Sequence, residues 1–157
     1  MTSIRSAPLR LGVFAFKPGH NKSEKLGRHT VFENEISKHI VDAAFRIHTT
    51  LAPGLFESVY QVALAYEFNK RGLSFERQKP IPVVYEGIRL VKGFRADFIV
   101  ENKVIIELKS VEVTAPIHRK QLLTYLRLAD KRLGLLINFD VILIKDGISR
   151  VVNALPE

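Results

Sequence analysis

The sequence predicts one α/β (α+β) domain of order α-α-β-β-β-α-β, with a mixed central sheet flanked by helices and a β-hairpin at its C-terminus. Three observations carry this. Apolar residues recur at three and four between Glu33 and Arg71 and again after Pro116, which is the helical period. The stretch from Phe75 to Leu108 alternates at period two and is broken by turn residues, which is the strand period. The length, 157 residues, suits one domain that buries a core without disulfides or structural metals.

The first helix follows from Ile36, Ile40, Ala43, Ala44, Ile47 and Leu51, and Pro53-Gly54 ends it. A second runs from about Leu55 to Arg71 and is expected to bury Phe56, Val59, Ala63 and Tyr66 or Phe68, with Gly72 as a left-handed cap. Pro80 and Pro82 mark Phe75 to Tyr85 as an edge or bent strand. Glu86-Gly87 turns it into Ile88 to Val100, and residues 101 to 103 turn again into Val104 to Leu108. Thr114 is read as the cap of a helix with Pro116 in its first turn and Leu122, Leu126, Ala129 and Leu133 on its buried stripe. Gly134 to Phe139 is a short, nearly all-apolar strand, and Asp146-Gly147 between Val141–Lys145 and Ile148–Val152 signals the closing hairpin.

Composition narrows the chemistry. With no cysteine, disulfides and thiolate metal sites are excluded, so any metal must be held by oxygen or imidazole, which favours hard cations. No apolar run approaches the ~20 residues that cross a bilayer, so a membrane partner is not expected and a cytoplasmic location is. The net charge of +8 is unevenly placed: residues 1 to 32 hold six basic residues against Glu24, while residues 33 to 157 hold 18 against 15. Residues 1–32 are therefore read as a basic, poorly ordered extension and 33–157 as the domain. The five histidines show no ligand spacing, and His39, His48 and His118 are read as surface or cap residues.

The segment from Phe94 to Lys109 is the informative one. Phe94, Ala96, Phe98 and Val100 alternate onto one face, and a three-residue loop would pair Val100 with Val104 so that Ile106 and Leu108 continue it. The same register sets Asp97 opposite Glu107 and Arg95 opposite Lys109 on the other, polar face. Opposed residues have β-carbons about 5 Å apart, and two carboxylates there repel unless a cation lies between them. Mg²⁺ or Mn²⁺ would resolve the conflict and leave positions open for water and a phosphate oxygen, with Lys109 on the same face to orient that water. On this reading, Asp97→Ala relieves repulsion and leaves stability unchanged or slightly raised. The alternative from spacing alone is a charged network in which Arg95 and Lys109 neutralise the acids.

Asp97 followed by Glu107-Leu108-Lys109 resembles the D…(D/E)xK signature of the PD-(D/E)XK phosphodiesterase superfamily, with Ala96 where its proline stands. Gln121 and Tyr125 match the QxxxY motif of RecB-type nucleases, and Gly54-Leu55-Phe56-Glu57-Ser58-Val59-Tyr60 is similar to the signature of the GxxExxY group. The resemblance spans roughly Glu33 to Val152 and implies a restriction-endonuclease-like core. It implies catalytic roles for Asp97, Glu107, Lys109, Glu57, Gln121 and Tyr125, and metal ligation by Asp97, Glu107, Leu108 and Glu57. From the residues themselves, Glu57 in a first helical turn also serves the helix dipole, and Tyr60 one turn on also serves packing. The implied function is a Mg²⁺- or Mn²⁺-dependent nuclease acting on DNA or RNA, with DNA the first choice of partner. A noncatalytic nucleic-acid- or protein-binding module on the same scaffold is the second reading, and oligomeric state stays open, a homodimer included.

Overall fold

The computed structural model describes residues 32–154, apart from the side chains of Val91 and Lys92. The basic extension thus lies outside the described residues, save Phe32. Helix α1 (Glu33–Leu51) buries Ile36, Ile40, Ala43, Ala44 and Ile47 on the expected stripe, while Leu51 is exposed. Helix α2 (Glu57–Lys70) ends at Gly72, whose φ of 69° is the left-handed cap.

The buried face of α2 matches the expected one only in part: Phe68 is buried and Ala63 packs partly buried against the core, as expected. Tyr60, Leu64, Ala65 and Phe68 face the core, whereas Phe56 is 84% and Tyr66 67% exposed and Val59 is exposed too. Apolar residues stand on both sides of this helix, so its period does not choose between them. The choice comes from Tyr60, whose ring stacks on Phe139 at 4.3 Å between centroids, and from Phe68, which meets Phe75 and Phe98 edge-on.

Five strands form one sheet in the order β1-β2-β3-β4-β5. They are β1 (Phe75–Tyr85), β2 (Ile88–Val100), β3 (Val104–Lys109), β4 (Leu133–Asn138) and β5 (Ile148–Val152). Among the described residues only β3 and β4 run parallel, joined by a crossover through helix α3 (Pro116–Leu128). Val100 pairs with Val104 and Phe98 with Ile106, so the inferred three-residue loop and register are present. The residue at the cap position of α3 is Ala115, not Thr114, because Pro116 occupies the first helical position.

Neither face of the sheet is the open, polar one expected for Asp97 and Glu107. Phe98, Val100, Val104, Ile106 and Leu108 pack against α1 and α2, while Ile99, Ile105 and Leu136 pack against Leu122, Tyr125 and Leu126 of α3. A strand placed centrally between helices is buried on both sides. Phe94 and Ala96 join the α3 side although Phe98 and Val100 join the other, so β2 twists between Ala96 and Phe98. Opposite that point β1 takes a left-handed residue, Gln78, with φ of 50°.

The closing hairpin also differs. No strand forms over Val141–Lys145; a short helix α4 (Ile144–Gly147) leads into β5, which pairs antiparallel with β4. Ile144 is buried, and His48, which is buried rather than at the surface, shares a 2.7 Å hydrogen bond with the Val141 carbonyl. Gly147 marks a close approach instead of a two-residue turn: a β-carbon there would lie 2.1 Å from the Asn138 carbonyl oxygen. Gly147→Ala is therefore expected to destabilise the fold by about 1–3 kcal/mol, the usual range for overpacking, read as a lower urea midpoint at unchanged slope.

Candidate active site

Pairing between β2 and β3 stops at Phe98 and Ile106. One residue further on, the carboxylate of Asp97 takes over from the ladder: its Oδ2 accepts a 2.8 Å hydrogen bond from the Leu108 N–H. Its Oδ1 accepts from the Nε2 atoms of Gln61 on α2 and Gln78 on β1, each at 3.0 Å. The left-handed backbone at Gln78 faces Asp97 across the strand pair, at a cost of about 1 kcal/mol. Arg95 acquires no partner on β3, because the two strands have already separated.

Glu107 comes from the other side of the gap. Its Oε1 accepts from the Lys109 ammonium at 3.0 Å, and its Oε2 is buried with no hydrogen-bond partner among the described residues. Burial first, and then the nearby Asp97 charge, push the Glu107 carboxyl up to about 7, although Lys109 pulls it down. Asp97 and Glu107 are only 8% and 9% exposed. Of the two buried acids only Glu107 is paired with a cation, and one of its oxygens has no partner among the described residues.

Glu57 and Tyr125 converge on this pair from two helices. Burial raises the Glu57 carboxyl above its usual range, with Lys109 lowering it and Asp97 raising it. Burial raises the Tyr125 hydroxyl, and Glu107 and Asp97 add to the effect, which keeps it a neutral donor. Its ring lies against Phe94 at 4.8 Å. Gln121, one turn earlier on α3, is half-buried and its side chain makes no hydrogen bond among the described residues. Leu108 has its side chain in the core and offers the site only its main chain.

The surrounding loops are tied to the same point. The Tyr60 hydroxyl donates to the Ala52 carbonyl at 2.6 Å and accepts from the Leu55 N–H at 3.3 Å, closing the turn in which Gly54 has φ of 97°. Ser110, directly after Lys109, donates to the Leu55 carbonyl at 2.6 Å. Asn138, buried at the end of β4, accepts from the Val111 N–H and donates to the Val111 carbonyl. Composition and period do not single out Gln78, Ser110 or Asn138. Gln61 was detectable, since it stands four residues after Glu57 on the same helix face.

The donors fit a hard divalent cation. An unpaired buried carboxylate oxygen beside a second carboxylate is what such an ion satisfies, and Asp97 and Glu107 would hold it. Among the described residues no three His, Asp or Glu side chains gather closely enough to bind one ion by themselves, so main chain or water must complete the shell.

In the metal-free protein Glu107 binds its proton more strongly when folded than when unfolded. That stabilisation is present below about pH 4.5 and is lost as pH rises through about 7, on the order of 3 kcal/mol in all. The melting temperature in EDTA is thus expected to fall between pH 5 and 8, and Glu107→Gln to flatten the fall. Asp97→Ala is expected to destabilise by about 2 kcal/mol, since three donors lose their acceptor. This reverses the expectation from repulsion alone, and chemical denaturation without metal checks it.

A family model of the PD-(D/E)XK nuclease superfamily matches residues 34–151. No curated protein and no solved structure gives a match.

Proposed function

Because the chain belongs to the PD-(D/E)XK nuclease superfamily, we propose that it is a divalent-metal-dependent nuclease that hydrolyses phosphodiester bonds in DNA. The observation that carries this is Glu107: a buried carboxyl held near neutrality, with one oxygen free, facing Asp97 across a gap between strands. Asp97 and Glu107 would hold Mg²⁺ or Mn²⁺ there, which would supply charge neutralisation at the scissile phosphate and a more acidic water.

The chain's own groups do the rest. Asp97 is held rigid from both oxygens by Gln61, Gln78 and the Leu108 amide, so its orientation survives the arrival of a cation. Lys109, partly buried and bonded to Glu107, holds a positive charge where the phosphate becomes more negative in the transition state. Tyr125, kept neutral, donates a proton in hydrogen bonding to a phosphate oxygen or to water. Glu57 adds negative charge that favours the cation from a third direction, through water. The Gly54-Glu57-Tyr60 spacing supports placing the chain in the GxxExxY group, because Gly54 and Tyr60 shape the turn that presents Glu57.

Cleavage of linear duplex DNA is expected to require Mg²⁺ or Mn²⁺ and to stop with EDTA. Lys109→Ala should still bind the metal at pH 8 by calorimetry while turnover falls by about 10²-fold or more. Glu107→Gln should lose both metal binding and cleavage. If the wild-type chain binds neither ion and cleaves no duplex, single-stranded or branched substrate, the scaffold serves binding alone.

A further inference from the structure

The longest strand pair runs well past the sheet that it edges. Strands β1 and β2 pair from Phe75 and Val100 out to Tyr85 and Ile88, but β3 pairs with β2 only from Phe98 onward. About ten residues of β2 thus continue as a two-stranded ribbon, roughly 30 Å in length. Its near part is anchored: Ile81 and Ala96 are buried and Phe94 lies on Tyr125 of α3. From Pro82 to Leu90 every side chain except Val83 is exposed, including Val84, Tyr85, Ile88 and Leu90.

Charge is concentrated on the same ribbon. Residues 75–95 hold five basic residues (Arg77, Lys79, Arg89, Lys92, Arg95) against Glu76 and Glu86, a net of +3. The whole of residues 33–157 is 18 against 15, also +3, so the rest of the domain is 13 against 13 and neutral. Arg77, Arg89 and Arg95 are exposed and form no ion pair among the described residues. The ribbon also starts at the acids, since Gln78 and Asp97 are hydrogen-bonded within it.

We propose that the β1–β2 ribbon is a grip for the phosphate backbone of nucleic acid, separate from the catalytic carboxylates, with Arg89 and Arg95 on phosphates and the exposed Tyr85 and Ile88 against bases at its tip. The inference rests on the nuclease reading for its partner. Charge complementarity selects that partner: an apolar protein-docking strand gains nothing from holding all the domain's excess positive charge, whereas a polyanion does. A two-stranded ribbon is also narrow enough to enter a duplex major groove. Both strands pass the site, so a backbone held along the ribbon is carried towards Asp97 and Glu107.

The test uses the full chain, the basic extension included, with a fluorescent 20-base-pair duplex and its single strand in Ca²⁺. Arg89→Gln/Arg95→Gln is expected to weaken binding and to make the plot of log K against log salt shallower by about 2, near 1 per lost phosphate contact. The charge-matched Lys38→Gln/Lys145→Gln, on exposed positions of α1 and α4, should leave the slope unchanged. Equal slopes in the two double variants, or no binding of either probe by wild type at low salt, overturn the ribbon assignment. Wild-type hydrolysis of bis(p-nitrophenyl) phosphate with Mn²⁺ reads the catalytic centre independently. If that fails while the arginine variant alone loses affinity, the grip stands and the hydrolytic reading falls.

Discussion

The separation of β2 from β3 beyond Phe98 and Ile106 is the constraint on which the rest of the site depends. A strand that leaves its neighbour exposes N–H and C=O groups in the middle of a buried sheet, and each must find a partner. The Asp97 carboxylate meets part of that need by accepting from the Leu108 N–H. The ladder is thus continued by a side chain, and a negative charge is placed inside the sheet. A neutral side chain of the same shape could close the gap more cheaply. A carboxylate there makes sense only if the charge is used.

Glu107 sharpens the point. Were the acids merely neutralised by basic neighbours, each would carry its own lysine or arginine, but Lys109 serves Glu107 and the amides of Gln61 and Gln78 serve Asp97. Arg95, the remaining candidate for neutralising them, forms no ion pair among the described residues. The apo site is therefore short of positive charge, and Glu107 responds by holding a proton towards neutral pH. A divalent ion removes that deficit, which links the polar gap to hydrolytic chemistry.

Much of this was legible in the sequence because strand parity is unforgiving. A three-residue turn at 101 to 103 was the reading that kept Val100, Val104 and Ile106 together, and it brought Asp97 and Glu107 to one place. What parity could not reveal was that the other face is covered by α3, since a helix over a sheet leaves no mark in the strand's own alternation beyond Ile99 and Ile105. The twist at Ala96 lies opposite a left-handed Gln78, a conformation that glutamine does not advertise. The α2 face is only half legible for a different reason: apolar residues stand on both sides of the helix, so Phe56, Val59 and Tyr66 read as core candidates alongside Ala63 and Phe68, which do pack inward. Asp146-Gly147 carries the commonest signature of a turn, whereas the missing side chain of Gly147 serves contact with Asn138.

The Gly54–Tyr60 turn shows how a short motif can be catalytic in part and architectural in part. Tyr60 closes the turn from beneath by bridging the Ala52 carbonyl and the Leu55 N–H, while Ser110 grips the Leu55 carbonyl from the end of β3. Leu55 is thus tied through its N–H to Tyr60 and through its carbonyl to the residue after Lys109. Any movement of the α2 start relative to β3 would have to break one of these bonds. Glu57, two residues on from Leu55, is held in register with Lys109 by the backbone rather than by a contact of its own carboxylate. An acid positioned in this way stays available to a cation or its water, because among the described residues no partner needs to be displaced first.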